Sequence, residues 1–146
     1  MRVVQVGYCC GLAAVRTNDG DEAGRGVNFQ IQIEQGSGYL AARFIGAAEP
    51  SEVLRHFESI AEHCSRTRNT KLLIDMTRLD VKLTVTTRFL AGEKLEIFAL
   101  HRIKVAIVGK PEQLDPGRFA MLVARNRFVN VEAFTDFQSA EEWLFK

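Results

Sequence analysis

The chain has 146 residues, 47% hydrophobic and 25% charged, with 19 Lys and Arg against 18 Asp and Glu, for a net charge of +1. That is the size and make-up of one globular domain able to bury its own core, and so even a charge balance carries no electrostatic demand for nucleic acid or a membrane surface. Three cysteines without a Cys-x-x-Cys spacing exclude a disulfide scaffold and a structural zinc site, and no apolar run approaches the ~18 residues that span a bilayer.

The opening MRVVQVGYCCGLAAV has the charge-then-apolar order of a signal peptide, but Gln5 and Gly7 interrupt the run. A reducing cytoplasm suits the thiols better. Residues 16–26, RTNDGDEAGRG, have no apolar periodicity and several turn formers, which predicts a linker. Residues 1–26 are therefore expected to be a tail or an over-long gene start, and 27–146 a single domain.

From Val27 the pattern becomes regular. Phe29, Ile31 and Ile33 alternate with polar residues at the period of a half-buried strand, and GSG at 36–38 turns the chain into a second strand, YLAARFIG. Pro50 and Ser51 open a helix to about Arg66, with Glu49 and Glu52 at its positive end and Val53, Leu54, Phe57, Ile60, Ala61 and Cys64 on one stripe. KLLID, 71–75, lacks alternation and predicts a short strand covered on both faces. A helix over roughly Thr84–Leu100 follows, then the β-branched strand RIKVAIVGK. Pro116-Gly117 lead into a helix to about Arg127 with Asp115 as its cap, and the chain closes with the strand NVEAFTD and the helix FQSAEEWLFK. The order β-β-α-β-α-β-α-β-α implies an α/β fold, a mixed sheet with a parallel centre wrapped by helices.

The succession KLLIDMTRL, RIKVAIVGKPE and NVEAFTDFQSAEEWL over about 28–146 resembles the STAS superfamily, in its SpoIIAA-like branch of small bacterial proteins. The closing phrase, a strand ending Phe134-Thr135-Asp136 and a helix carrying Ala140 and Trp143-Leu144, is its most specific part. The resemblance implies a SpoIIAA-like β-α superhelix, related to anti-sigma factor antagonists and more distantly to CRAL-TRIO lipid-binding domains. It also implies a kinase partner and a phosphorylated serine in an Asp-Ser-Ser-Gly turn. That turn is absent here, so the serine switch has no counterpart, and only Thr84, Thr86 and Thr87 lie in its neighbourhood.

Asp75 stands at the carboxyl end of a predicted strand, where ligands of open α/β sheets bind; the simpler reading is a carboxylate that accepts backbone amides and closes the strand. Thr84, Thr86 and Thr87 are N-cap candidates, and a phosphate there would sit beside Arg88. In the helix that follows, Phe89, Leu90, Ile97 and Leu100 share one side while Leu95 and Phe98 fall elsewhere, with Gly92 between the halves. One sheet-facing stripe cannot bury all six, so either the helix breaks near Gly92 or Leu95 and Phe98 meet a partner, a second subunit or an apolar ligand; the second is favoured. His56 and His63 are too few for a structural metal site, VGKPE lacks the phosphate-cradling loop, and Arg118, Arg125 and Arg127 lack the stacking aromatics of a nucleic-acid site. The sequence thus predicts a non-catalytic STAS-like regulatory or protein-interaction domain presenting residues 77–100 to a partner protein or homodimer. The alternative is a carrier of a small apolar or lipid ligand. No cofactor, nucleic acid or stable membrane insertion is expected.

Overall fold

The structure, a computed structural model, describes residues 2–3, 29–114 and 119–146. Its strands are β1 (Arg2–Val3), β2 (Gln30–Gln35), β3 (Leu40–Ala47), β4 (Lys71–Asp80), β5 (Lys104–Val108) and β6 (Val131–Phe134). Its helices are α1 (Pro50–Arg55), α2 (Phe57–Arg66), α3 (Val85–Lys94), α4 (Glu96–Leu100), α5 (Phe119–Arg125) and α6 (Phe137–Leu144). Among the described residues the strands form one sheet in the order β1-β2-β3-β4-β5-β6. The pairs β1/β2 and β2/β3 are antiparallel; β3/β4, β4/β5 and β5/β6 are parallel.

A hairpin feeding a run of parallel strands, each reached through helix, is the mixed α/β arrangement expected of a SpoIIAA-like chain. The expected tail contributes the edge strand β1; residues 4–28, with the rest of that tail and the linker, and the cap at Asp115 with Pro116-Gly117 lie outside the described residues.

Alternation along the strands divides the interior in two. Leu40, Ala42 and Phe44 of β3, Leu72 and Ile74 of β4, and Val105 and Ile107 of β5 face the main core, packed against α1, α2, α4 and α5. Ala41, Leu73, Ala106 and Val108 face the other way, against Ala140 and Leu144 of α6. KLLID is covered on both faces, as its composition predicts.

Two predicted boundaries move. The first helix divides at His56, where one tightened turn, His56 N–H to Val53 O at 3.2 Å, separates α1 from α2. The first strand of KLLIDMTRLD does not stop at Asp75 but runs to Asp80. Arg43 pairs with Asp75 and Ile45 with Arg78, so Met76 and Thr77 together oppose Phe44 in a bulge. Asp75 holds that bulge: its Oδ1 accepts the Thr77 amide at 2.9 Å and the Thr77 hydroxyl at 2.7 Å. The carboxylate accepts backbone hydrogen, as expected, yet bends the strand rather than ending it.

The helix after it is corrected more deeply. It breaks at Leu95, and Leu95 and Phe98 are 2% and 0% exposed, in the main core, where Phe57 and Phe98 rings meet at 5.6 Å. They form no partner surface. Phe89, Leu90 and Leu100, expected to face the sheet, are the exposed ones. The reason lies at Gly92: a Cβ there would come within 2.7 Å of Ala120 O and of Val123 Cβ. Backbone contact with α5 at that point lays α3 on α5, and the bend at Leu95 then turns α4 inward over α2.

Candidate functional site

Under α3, at the carboxyl ends of the parallel strands, lies a cavity of about 100 Å³. Pro50, Val53, Leu54 and Phe57 of α1 and α2 form one wall, and Met76, Leu79, Val81 and Leu83 follow the end of β4. Ile107 and Ala133 close it from β5 and β6, while Ala91, Leu95, Leu114, Ala120 and Met121 complete the lining. Among the described residues only Thr87, Arg88 and Gln113 bring polar side chains. The position follows from topology: parallel strands end together, and the loops that leave them open a crevice above the sheet.

The sequence-predicted residues fall in three places. Thr87, Arg88 and Leu95 line the cavity. Thr84 is the N-cap of α3: its Oγ1 accepts the Thr87 amide at 3.2 Å, while the Thr84 amide donates to Thr87 Oγ1 at 2.7 Å. Thr86 is exposed beside it. Phe98 is core, and Asp75 points to the opposite face of the sheet from its strand neighbour Met76, which lines the cavity. On that opposite face Arg43 pairs with Glu34 and, at 3.4 Å, with Asp75 Oδ2, joining β2, β3 and β4 through side chains as well as ladders.

Gln113 is the residue that sequence reasoning missed. Its Nε2 donates to Met76 O at 2.8 Å and Leu79 O at 2.9 Å, and its Oε1 accepts the Lys110 amide at 2.7 Å. Its own carbonyl accepts from Arg88 Nη1 at 3.0 Å. Through its side-chain amide and its own carbonyl, this one residue ties together the β4 extension, the loop after β5 and α3. The only signal in the sequence is an amide two residues after a proline, which is common in loops. Gly109 gives it room, since a Cβ there would lie 2.9 Å from Gln113 Oε1.

Among the described residues the lining has one titratable side chain, Arg88. Cys64 is buried in the core, where burial pushes its thiol up to about 12, far from the thiolate a nucleophile needs. Burial, then the neighbouring Arg55 charge, holds His56 below its usual value. Among the described residues no group of His, Cys, Asp and Glu is placed to hold a metal ion, and no helix is long and apolar enough to cross a membrane.

No protein-family model matches the chain, and no curated protein matches it. Among solved structures it is similar to an uncharacterised protein of the DUF3478 family with a SpoIIAA-like fold, from Shewanella loihica PV-4, at 27% identity and a TM-score of 0.49 over 86% of this chain and 99% of that one. It is also similar to the phosphorylated form of the Bacillus cell fate determinant SpoIIAA, at 9% identity and a TM-score of 0.47 over 78% of this chain and 99% of that one.

Proposed function

We propose that the chain is a non-catalytic, STAS-like binding module that seats the apolar end of a small or lipid ligand in the cavity under α3. The observation that carries this reading is the lining: aliphatic, thioether and aromatic side chains from both sheet and helices, with Thr87, Arg88 and Gln113 as the polar members among the described residues. Its volume of about 100 Å³ approaches the ~150 Å³ of apolar cavities that take up benzene, so a short branched or ring-sized group fills it. Each methylene transferred from water contributes ~0.8 kcal/mol.

The test is native mass spectrometry of protein from its own host, with thermal unfolding in the presence of 1-octanol. A retained apolar adduct, or a thermal midpoint that rises with octanol, is expected for the unaltered chain. Ala91→Leu, at a half-buried lining position, fills the space and abolishes both. A bare mass together with an octanol-insensitive midpoint would remove the reading.

A second reading, docking of a partner protein or second copy, is supported by the outer face of α3 and α5. Val85, Phe89, Phe119 and Leu122 are exposed there, and the Phe89 and Phe119 rings stack at 6.3 Å. On this reading the same spectrum shows a dimer that Val85→Glu with Leu122→Glu dissociates.

A further inference from the structure

The pole opposite the cavity is built in an unusual way. Three helices end there and lead directly into parallel strands: α2 into β4, α4 into β5, and α5 into β6. Each ends in the same pair of hydrogen bonds. Asn69 N–H reaches Cys64 O at 2.8 Å and Arg68 N–H reaches Ser65 O at 3.1 Å; Ile103 and Arg102 do the same to Phe98 and Ala99, at 2.9 and 3.0 Å; Val129 and Phe128 do so to Ala124 and Arg125, at 3.1 and 2.9 Å. This is the left-handed Schellman ending, whose apex is ordinarily glycine.

Here the apices are Arg68, Arg102 and Phe128, at φ 60°, 57° and 64°. A side chain in that conformation costs roughly 1–2 kcal/mol at each position. All three apices are exposed, Phe128 to 91%. Neither Arg68 nor Arg102 makes an ion pair among the described residues. Strands β4, β5 and β6 are neighbours, so the apices stand in a row ~10 Å long.

The surroundings carry more basic than acidic side chains. Among the described residues, segments 35–40, 63–71, 100–104, 125–131 and 143–146 lie at this pole, and the acids that touch them are already engaged: Glu132 pairs with Arg125, Glu93 and Glu96 pair with Arg127, and Glu141 accepts from the Tyr39 hydroxyl. Apart from the paired Arg125 and Arg127, six basic side chains stand there: Arg66, Arg68, Lys71, Arg102, Lys104 and Lys146. The helix ends that gather at the pole answer part of this, but each amounts to about −0.5 of a charge at most, or about −2 for four. Lys104 serves such an end, donating to Trp143 O at 2.7 Å over the indole ring, and Lys71 lies over Phe145 at 5.6 Å. The lysines are thus laid against α6 and its tail, and the arginines are presented outward. The frame beneath them is tied down: Ser65 Oγ meets His101 Nδ1 at 2.8 Å, and Asn69 Nδ2 donates to Gln35 Oε1 at 2.9 Å.

We propose that this pole docks an acidic surface segment of a partner protein, with Arg68 and Arg102 pairing carboxylates and Phe128 entering an apolar notch beside them. Arginine and aromatic side chains on a pre-set backbone are the usual energetic centres of protein interfaces, and the guanidinium fork matches a carboxylate in a fixed direction. A bilayer or a nucleic-acid backbone needs no such fixed order of two forks and one ring, and flexible lysines serve them as well. The surface is separate from the cavity and does not depend on what the cavity holds.

Glycine at the apices makes the test clean, because it removes the side chain and relieves the backbone together. The double variant Arg68→Gly with Arg102→Gly, and Phe128→Gly, therefore keep or raise the thermal midpoint. The full-length protein is titrated with a fluorescent 4:1 Glu–Tyr copolymer, with polyglutamate, with phosphatidylserine vesicles and with an oligothymidylate. The copolymer binds best, and the double variant weakens it by about tenfold or more, the size of an interface hot spot. Phe128→Gly erases the preference for the copolymer over polyglutamate, whereas Lys82→Ala, near the cavity end, changes nothing. Failure of the copolymer to bind, tighter binding of vesicles or oligothymidylate, or a double variant that binds as the parent does would each overturn the proposal.

Discussion

Gln113 shows how much one side chain can organise. Its side-chain amide bridges the end of β4 and the loop after β5, giving the Met76 and Leu79 carbonyls and the Lys110 amide a hydrogen-bond partner. Gln113→Leu keeps the bulk but leaves Met76 O, Leu79 O and the Lys110 amide without that partner, at a cost of about 2–3 kcal/mol. Urea unfolding at pH 7 measures the loss, and a variant as stable as the parent would show that water replaces the amide. Nothing in the local pattern marks this residue, because two of its three side-chain partners lie 34 and 37 positions away along the chain. Thr84 is the opposite case. Its capping partner is three residues on, so the sequence shows it directly.

At the scale of elements, the region 84–100 separates what periodicity can and cannot reveal. The pattern correctly signals too many apolar sides for one straight helix. It does not say which side goes inward, because that depends on α5, whose contact with α3 runs through Gly92. Gly92→Ala would normally favour a helix by about 1 kcal/mol, yet here the added methyl meets a carbonyl and a valine. The expected outcome is a loss of about 1–3 kcal/mol with α3 displaced from α5, read by chemical denaturation and by amide exchange confined to 85–94. A stabilised Gly92→Ala variant would contradict the close crossing.

The molecule as a whole joins an antiparallel edge to a parallel centre, and the Arg43 guanidinium stands at that seam between Glu34 and Asp75. Both carboxylates are buried, so removing the cation leaves two negative charges without their counter-ion inside the sheet. Arg43→Met is expected to cost about 3 kcal/mol and to lower the unfolding midpoint in urea. Asp75→Asn in the same background recovers part of the loss by removing one charge. An Arg43→Met variant that unfolds at the parent midpoint would show the seam to be held by the ladders alone.

Local rules were enough for the order of elements, the hairpin turn, the cap at Thr84 and the doubly covered strand KLLID, because each depends on residues within a few positions of one another. The burial of Leu95 and Phe98, the bulge at Asp75, the cavity closed by Gln113 and the row of Arg68, Arg102 and Phe128 came only with the tertiary structure. Each joins segments 30 or more residues apart, or sets side chains from successive turns side by side on neighbouring strands. Periodicity in one dimension carries a residue's own face, and the identity of what it meets there is decided by packing.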